Sequence, residues 1–274
     1  MFYTFALLLP RSHRALVVHR KTSFRSFQRM AIHSAKEEAS HDKENVLVSG
    51  VFAGLTATFT PKGSLIPVPE YLVPKELLEW GQAPSCLEVI VSEDVQETTI
   101  ERQTVSIYPA IGCAVDNLHT SKAKESVPWA KKASIDDAIA MDYGISKETT
   151  RTETIFALPN DHRYRITIDL FNRLIQSPIR VNLERRTSTD YSKGTIADGG
   201  GLDGRTVSRL LGEELNSSNR FSDEVVSQMD DGDIHLPRGL SFAFNGDSLT
   251  IKHENLCITR TYKDDGSVEI HFIK

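Results

Sequence analysis

The stretch that decides the fold is residues 163–184, RYRITIDLFNRLIQSPIRVNLE, in which apolar and polar side chains alternate. Every second residue is apolar from Tyr164 to Leu170, and again from Ile179 to Leu183. The alternating partners are Arg163, Arg165, Thr167, Asp169, Arg180, Asn182 and Glu184. A period of two places alternate side chains on opposite faces of a β-strand. The stretch therefore predicts two strands, each with one face in the core and the other in water.

The same alternation recurs along the chain from residue 46 onward. It is found in Val46–Phe59, at Val105 and Ile107, from Leu240 to Phe244 and from Val268 to Phe272. Between such runs stand Pro61-Lys62-Gly63, Asn245-Gly246-Asp247 and Asp264-Asp265-Gly266. Residues of these types tolerate the positive φ that hairpin turns require. We therefore predict a mainly β protein built as an antiparallel meander.

Helical signals are few and short. They predict helices over Val73–Trp80, where Pro74 suits a first turn, over Ser134–Tyr143 and over Arg205–Leu215. The polar, Lys-rich range 117–151 is predicted to be a loose insertion. It would separate an N-terminal β region, residues 46–116, from a C-terminal β region, residues 152–274.

The first 36 residues contain seven Lys or Arg and no acid, and serines are scattered among them. This composition is typical of an organellar transit peptide. On a helix, Leu16, Phe24, Phe27 and Met30 share one broad face, which favours import into a mitochondrion. The alternative is a disordered basic tail. The charged range 37–45 is predicted to be a linker to the folded part.

Without residues 1–36 the chain has 25 bases against 37 acids, a formal charge of −12. Nucleic acids and anionic lipids are bound mainly through Lys and Arg, so neither is an expected partner. The apolar run Phe5–Pro10 is far too short to cross a bilayer, and no membrane span is expected. Cys86, Cys113 and Cys257 form no C-x-x-C pair, which favours buried thiols in a reducing compartment.

A glycine-rich segment is the one motif with a nucleotide-binding form. Gly199, Gly201 and Gly204 satisfy G-x-G-x-x-G, but a dinucleotide loop needs a buried strand before it, and Tyr191–Asp198 is mostly polar. The favoured interpretation is a structural turn followed by a helix that Asp203 caps. That turn consists of Gly199, Gly200, Gly201, Asp203 and Gly204. An enzyme that uses this loop remains a weaker alternative.

No other pattern indicates catalysis or a metal. The histidines have no H-x-x-x-H or H-x-H spacing, and Asp230–Asp233 lacks the acid spacing of a calcium loop. Cys113 lies near Asp116 and His119 in sequence, but proximity alone does not make a thiol nucleophile. We predict no catalytic residue, no metal ligand and no cofactor, and favour a protein that is not an enzyme.

Arginines are concentrated in the two strands of the opening stretch. On a solvated face they would form ordinary ion pairs, but a guanidinium also suits a ligand carboxylate or phosphate, or an acidic partner. The candidate ligand-binding residues are Arg163, Arg165, Arg180 and Arg205.

Several motifs spread over residues 50–270 resemble an uncharacterised family of organelle-targeted plant and algal proteins, some of them called seed maturation-like, and the lipocalin-like domains of phototrophs. They are GLTATFTPKG (54–63), PVPEY (67–71), Pro74, Trp80, Gly112-Cys113, Asp116, GGLDGR (200–205), LPRG (236–239), Arg260, Tyr262 and Gly266. The resemblance implies a meander that closes into a calycin-like β-barrel, as one unit or as two β subdomains. It also implies a plastid, so the predicted location is the plastid stroma, with the mitochondrial matrix as the alternative.

These observations lead to two hypotheses of different class. The first is a noncatalytic organellar β-barrel that binds a small apolar or amphipathic ligand, with arginines at the strand ends as polar anchors. The second is an organelle assembly or maintenance factor that acts by contact with a protein partner.

Overall fold

A computed structural model of the chain describes residues 47–61, 64–81, 84–96, 98–109, 118–135, 137–144, 149–171, 174–175, 178–187, 206–207, 209–211, 234–236, 239–245, 247–263 and 267–274. The chain divides into the units Met1–Ser40 and His41–Lys274, and all of these residues belong to the second. The predicted transit peptide (1–36), the linker (37–45), the glycine-rich turn (Gly199, Gly200, Gly201, Asp203 and Gly204) and Arg205 lie outside the described residues.

The described part is mainly β, as predicted, and its strands form two antiparallel sheets. The first sheet contains β1 (Gly50–Phe59), β2 (Leu65–Ile66), β3 (Cys86–Val95), β4 (Thr99–Ile107), β5 (Thr120–Ile135), β6 (Ala138–Gly144), β7 (Thr149–Leu158), β8 (His162–Phe171), β9 (Leu174–Ile175) and β10 (Ile179–Arg186). The second contains β11 (Ile234–Leu236), β12 (Leu240–Asn245), β13 (Ser248–His253), β14 (Leu256–Tyr262) and β15 (Val268–Ile273). A 3-10 turn at Glu70–Leu72 and the short helix α1 (Lys75–Glu79) follow β2.

The first sheet returns on itself as a ring. Neighbouring strands pair in chain order from β3 to β8, and β10 then pairs with both β8 and β1. The ring therefore consists of β1, β3, β4, β5, β6, β7, β8 and β10. The predicted meander is confirmed in this sheet and in the second, where β11 to β15 also pair in chain order.

The predicted turns can be compared with the pairing of the strands that flank them. All three predicted turns fall between paired strands: β1 and β2, β12 and β13, and β14 and β15. Between β7 and β8, Asn160 and Asp161 have φ values of 60° and 59°. Both residue types accept this left-handed conformation, which matches the twist of a two-strand hairpin.

Two local predictions were wrong. Ser134–Tyr143 is not a helix, because β5 ends at Ile135 and β6 begins at Ala138. The apolar residues of this segment fit a helical period, but pairing with β7 selects the extended form. Residues 120–144 are likewise not a loose insertion, since they form β5 and β6. A helix is present inside Val73–Trp80, as expected, and residues 206–207 and 209–211 are helical within Arg205–Leu215.

The main apolar core lies outside the ring, between its outer face and the second sheet. The ring contributes alternate residues of its strands, such as Leu55, Ile166 and Val181. The second sheet contributes Phe242 and Ile258, and all of these side chains are buried. The opening stretch thus buries its apolar face, as predicted, but this face points away from the centre of the ring.

Candidate functional site

The polar faces of β8 and β10 point into the ring, not outward into water. Arg163 and Arg165 were predicted to lie on a solvated face, yet they are only 1% and 4% exposed. Arg163 on β8 reaches Glu93 on β3, and Arg102 on β4 reaches Glu153 on β7. Neither pair of strands is adjacent, so these contacts cross the interior. The solvated-face interpretation is corrected accordingly: the polar residues of the opening stretch form the inside of the ring.

Arg163 lies at the centre of a buried network, and all three of its guanidinium nitrogens are used. Nε donates to Glu184 Oε2 at 2.7 Å, Nη2 donates to Glu93 Oε2 at 2.6 Å, and Nη1 donates to the carbonyl of Leu47 at 2.5 Å. The guanidinium also lies 3.3 Å from the ring centroid of Phe52, in cation–π contact. All three nitrogens of Arg163 are thus bound to protein acceptors.

Arg102, on the other side of the interior, also uses all three of its guanidinium nitrogens. It donates from Nε to Glu93 at 2.5 Å, from Nη2 to Glu153 at 2.7 Å and from Nη1 to Glu125 at 3.1 Å. Glu93 therefore lies between two guanidinium groups and bridges β3 to both β4 and β8. Such an arrangement satisfies charges that would be costly to bury alone.

Arg165 completes the network but keeps one nitrogen less engaged. Its Nη2 and Nε bind Glu184, whose Oε1 also accepts a bond of 3.0 Å from Asn182 Nδ2. Its Nη1 lies 3.8 Å from Glu153 Oε2, beyond hydrogen-bonding distance. Gly54 lies opposite Glu184 in the register of β1 and β10, and a Cβ at this position would lie 2.2 Å from the carbonyl oxygen of Leu183. Glycine is therefore needed for the close approach of these two strands.

The network holds its acids ionised. Burial by itself would raise the pKa of Glu93, but Arg163 and Arg102 outweigh it and hold that pKa at about 2. Burial also opposes ionisation of Glu184, and Arg163 and Arg165 lower the pKa of this residue below its ordinary value. Conversely, Glu153 and Glu93 raise the pKa of Arg102 despite the desolvation that burial imposes. Charges fixed in this way are suited to structure and poorly suited to proton transfer near neutral pH.

On one side of the network the interior is apolar. We call this side the apolar end; its buried residues are Val48, Ile100, Ile139, Met141, Tyr143 and Ile155. Burial, followed by the nearby carboxylate of Glu153, raises the pKa of Tyr143, so its hydroxyl stays neutral. The ring strands are joined here by short connections, residues 96–98, 136–137 and 159–161. The apolar end is thus closed by packing.

On the other side the interior is polar and partly open to solvent. We call this side the polar end; its inward-facing residues include Thr56, Thr58, Thr104, Glu125, Arg151, Asp169 and Arg180. Arg151 donates to Asp169 at 2.8 Å and to Glu125 at 3.0 Å. The strands are joined on this side by residues 60–85, 108–119, 145–148 and 172–178, and three of these four connections are much longer than those at the apolar end. Long connections on a rigid scaffold are where binding sites are most often built.

Arg180 differs from the other inward-facing arginines of the ring. It is exposed, and among the described residues no carboxylate lies within salt-bridge distance of it. Desolvation by the ring wall, and then the like charges of Arg165 and Arg151, lower its pKa below the ordinary value. Arg180 is therefore an exposed guanidinium at the polar end, and no carboxylate of the described residues occupies its donors.

The predicted site residues thus have different positions. Arg163 and Arg165 belong to the buried network, Arg180 lies at the polar end, and Arg205 lies outside the described residues. Sequence reasoning missed Glu93, Arg102, Glu153 and Glu184. Each of these four is a charged residue at an alternating position of a β-rich segment, and this pattern could have marked them as candidates. Their pairing could not be predicted, because the partners are 9 to 70 positions apart in the chain.

No family model matches this sequence, and no curated protein matches it either. Within the described ranges, no helix is long and apolar enough to cross a membrane. The same part of the chain contains no group of three or more His, Cys, Asp or Glu placed to hold a metal ion.

Proposed function

We propose that this chain is a noncatalytic binding protein that holds a small amphipathic ligand at the polar end of its ring. The observation that carries the proposal is Arg180, an inward-facing guanidinium without a carboxylate partner among the described residues. It lies at the polar end, where the side chains are partly exposed. On this proposal the ring is a calycin-like barrel, and the buried network is the floor of the binding site.

The contrast between the two ends favours an amphipathic ligand over an apolar one. The charged network fills the middle of the ring, so a ligand entering at the polar end meets threonines, arginines and carboxylates before any apolar surface. A wholly apolar ligand would desolvate these groups without replacing their hydrogen bonds, which costs free energy. A ligand with a polar head does not carry this cost.

The proposed location is an organelle, the plastid stroma or the mitochondrial matrix, on the basis of the acid-free leader. The depressed pKa of Glu93 and the closed network support a binding role over an acid–base role.

Native mass spectrometry of the full chain, purified from the cells that make it, tests the proposal. We expect a retained small molecule that is released on collisional activation. A clean ligand-free mass beside a co-purifying protein would overturn the proposal.

A second candidate, assembly by protein contact, is favoured by two exposed aromatic side chains. Tyr71 is 86% exposed and Trp80 is 60% exposed, and both lie in the connection between β2 and β3, beside α1. Exposed aromatic residues are enriched at protein interfaces. If this candidate is correct, the double substitution Y71A/W80A abolishes co-purification of the partner while the ring stays folded, as measured by circular dichroism. Unchanged co-purification would count against it.

A further inference from the structure

We infer that the ligand is an oxyanion that carries at least one hydroxyl group, with Arg180 as its anchor and Thr56 and Asn182 as its hydroxyl-binding partners. The inference rests on the proposed binding function and names the chemistry of the ligand. It differs from the set of candidate arginines predicted from the sequence, because Arg163 is not among the ligand-binding residues and two uncharged residues are added.

The register of the strands brings these residues together. Arg165, Asn182 and Thr56 lie opposite one another on β8, β10 and β1. Thr167, Arg180 and Thr58 form the next inward-facing row on the same three strands. Side chains directly opposite in an antiparallel pair have Cβ atoms roughly 5 Å apart, and rows two residues apart are separated by about 7 Å. A ligand with a few heavy atoms therefore spans both rows.

The positive charges around Arg180 favour an anionic ligand. The charged groups near Arg180 include two further guanidinium groups, those of Arg165 and Arg151, and the carboxylates of Asp169 and Glu125. Arg151 is already paired with both of those carboxylates. A bound carboxylate or phosphate would give Arg180 the bidentate partner that its planar donors fit.

Two uncharged side chains, those of Asn182 and Thr56, favour a ligand with a further polar group. Asn182 is only 3% exposed, and its Oδ1 atom has no hydrogen-bond partner among the described residues, although its Nδ2 atom donates to Glu184. The Thr56 hydroxyl, directly opposite on β1, also lacks a partner in the part of the chain that the structure describes. Buried polar atoms are nearly always satisfied, and an amide oxygen accepts a donor but repels an anion. A ligand hydroxyl beside the anionic group satisfies both atoms.

Matched pairs of small anions test the inference on the full chain by isothermal titration calorimetry. The probes are glycerol 3-phosphate against propyl phosphate, and glycerate against propionate; each pair differs only in hydroxyl groups. We expect the hydroxylated member of at least one pair to bind more tightly than its partner. The preferred pair distinguishes a phosphate from a carboxylate head.

Variants then locate the site. Arg180→Gln is expected to weaken binding by about 10- to 100-fold, as loss of a charge-assisted hydrogen bond implies, and Arg180→Lys to weaken it less. Arg185→Gln is the matched control, because Arg185 lies on the same strand and faces outward; it leaves affinity unchanged. Thr56→Val, which keeps the shape of the side chain, reduces the preference for the hydroxylated probe without abolishing anion binding.

The outcomes separate this inference from the function on which it rests. If native mass spectrometry shows a retained ligand and Arg180→Gln holds it as firmly as the unchanged protein, the binding function stands and the oxyanion assignment is wrong. The hydroxyl requirement is wrong if propyl phosphate and propionate bind as tightly as the hydroxylated probes. If no ligand is retained and none of the four anions binds, both proposals are wrong.

Discussion

The two faces of the ring strands are held by different forces. The inner face buries three arginines and three glutamates in one network: Arg102, Arg163, Arg165, Glu93, Glu153 and Glu184. The outer face buries aliphatic and aromatic residues against the second sheet. Apolar burial stabilises in proportion to area whatever the pairing, whereas a buried ion pair stabilises little beyond its own desolvation and is strongly destabilising when broken. The outer face therefore supplies bulk stability, and the inner face specifies which strands meet.

A charged contact joins the outer face to the second sheet through Arg260 on β14. It is fully buried between the sheets and donates to Asp142 at 3.2 Å, to Thr154 at 2.7 Å and to the carbonyl of Glu153 at 2.7 Å. Arg260 thus binds the second sheet to β6 and β7, and its backbone partner is the residue whose side chain enters the inner network. The two faces meet at Glu153.

Breaking the inner network is expected to have the largest effect. Arg163→Met removes the cation shared by Glu93 and Glu184 and leaves both acids buried with fewer partners. We expect the free energy of unfolding, measured by urea titration, to fall by about 3–5 kcal/mol. Lys263→Met, which breaks an exposed ion pair with Glu269, is the control and is expected to change little. An Arg163→Met protein as stable as the original would refute the network's role.

The inner face should also make stability depend on acid. The pKa of Glu93 is about 2 in the folded state against 4.5 for the free side chain, so the unfolded chain binds more protons between these values. Its contribution is complete above pH 4.5 and is lost as the pH falls towards 2. The stability difference between the original protein and Glu93→Gln, roughly 3 kcal/mol at pH 7, should shrink over this window. A difference independent of pH would show that Glu93 is not ionised in the native state.

A smaller effect is expected at the contact of Arg260 between the outer face and the second sheet. Arg260→Lys keeps the charge but cannot reach all three acceptors of the guanidinium. We expect a loss of about 2 kcal/mol, of the order of one or two charge-assisted hydrogen bonds. Hydrogen exchange should accelerate in β12–β14 more than in the ring. Equal acceleration in both sheets would contradict the assignment of Arg260 to the contact between them.

The smallest loss of stability is expected from a change in the apolar packing of the outer face. Ile258→Val removes one buried methylene from the outer core and should cost about 1 kcal/mol. In contrast to Glu93→Gln, this loss should be the same at pH 3 and pH 7. Thermal unfolding at both values checks it, and a pH-dependent loss would mean that the two faces are not energetically separate.

Much of the fold could be predicted from the sequence, because period-two alternation and turn residues are local signals. The strands around Tyr164, Val181 and Phe242 and the hairpin at Asn245 were predicted in this way. The segment 134–143 could not be, since Ile135, Ile139 and Met141 fit a strand and a helix equally well. Pairing with β7 decides between them, and that contact is not local.

The candidate site was predictable only in part. Arg163, Arg165 and Arg180 have the same residue type and the same alternation, so nothing local distinguishes a network arginine from a ligand arginine. The difference is the number of carboxylates each one meets across the ring. Arg163 meets Glu93 and Glu184, whereas Arg180 meets no carboxylate at salt-bridge distance among the described residues.

By itself, the sequence determined that the strands have one apolar and one polar face, because side-chain alternation is a property of each strand alone. Only the tertiary structure decided which face is inside. The polar face could turn inward because Glu93, Glu153 and Glu184 meet Arg102, Arg163 and Arg165 across the ring, so each buried charge finds its opposite. Closure of the ring by β10 creates that meeting, and it also leaves Arg180 at the open end without such a partner among the described residues.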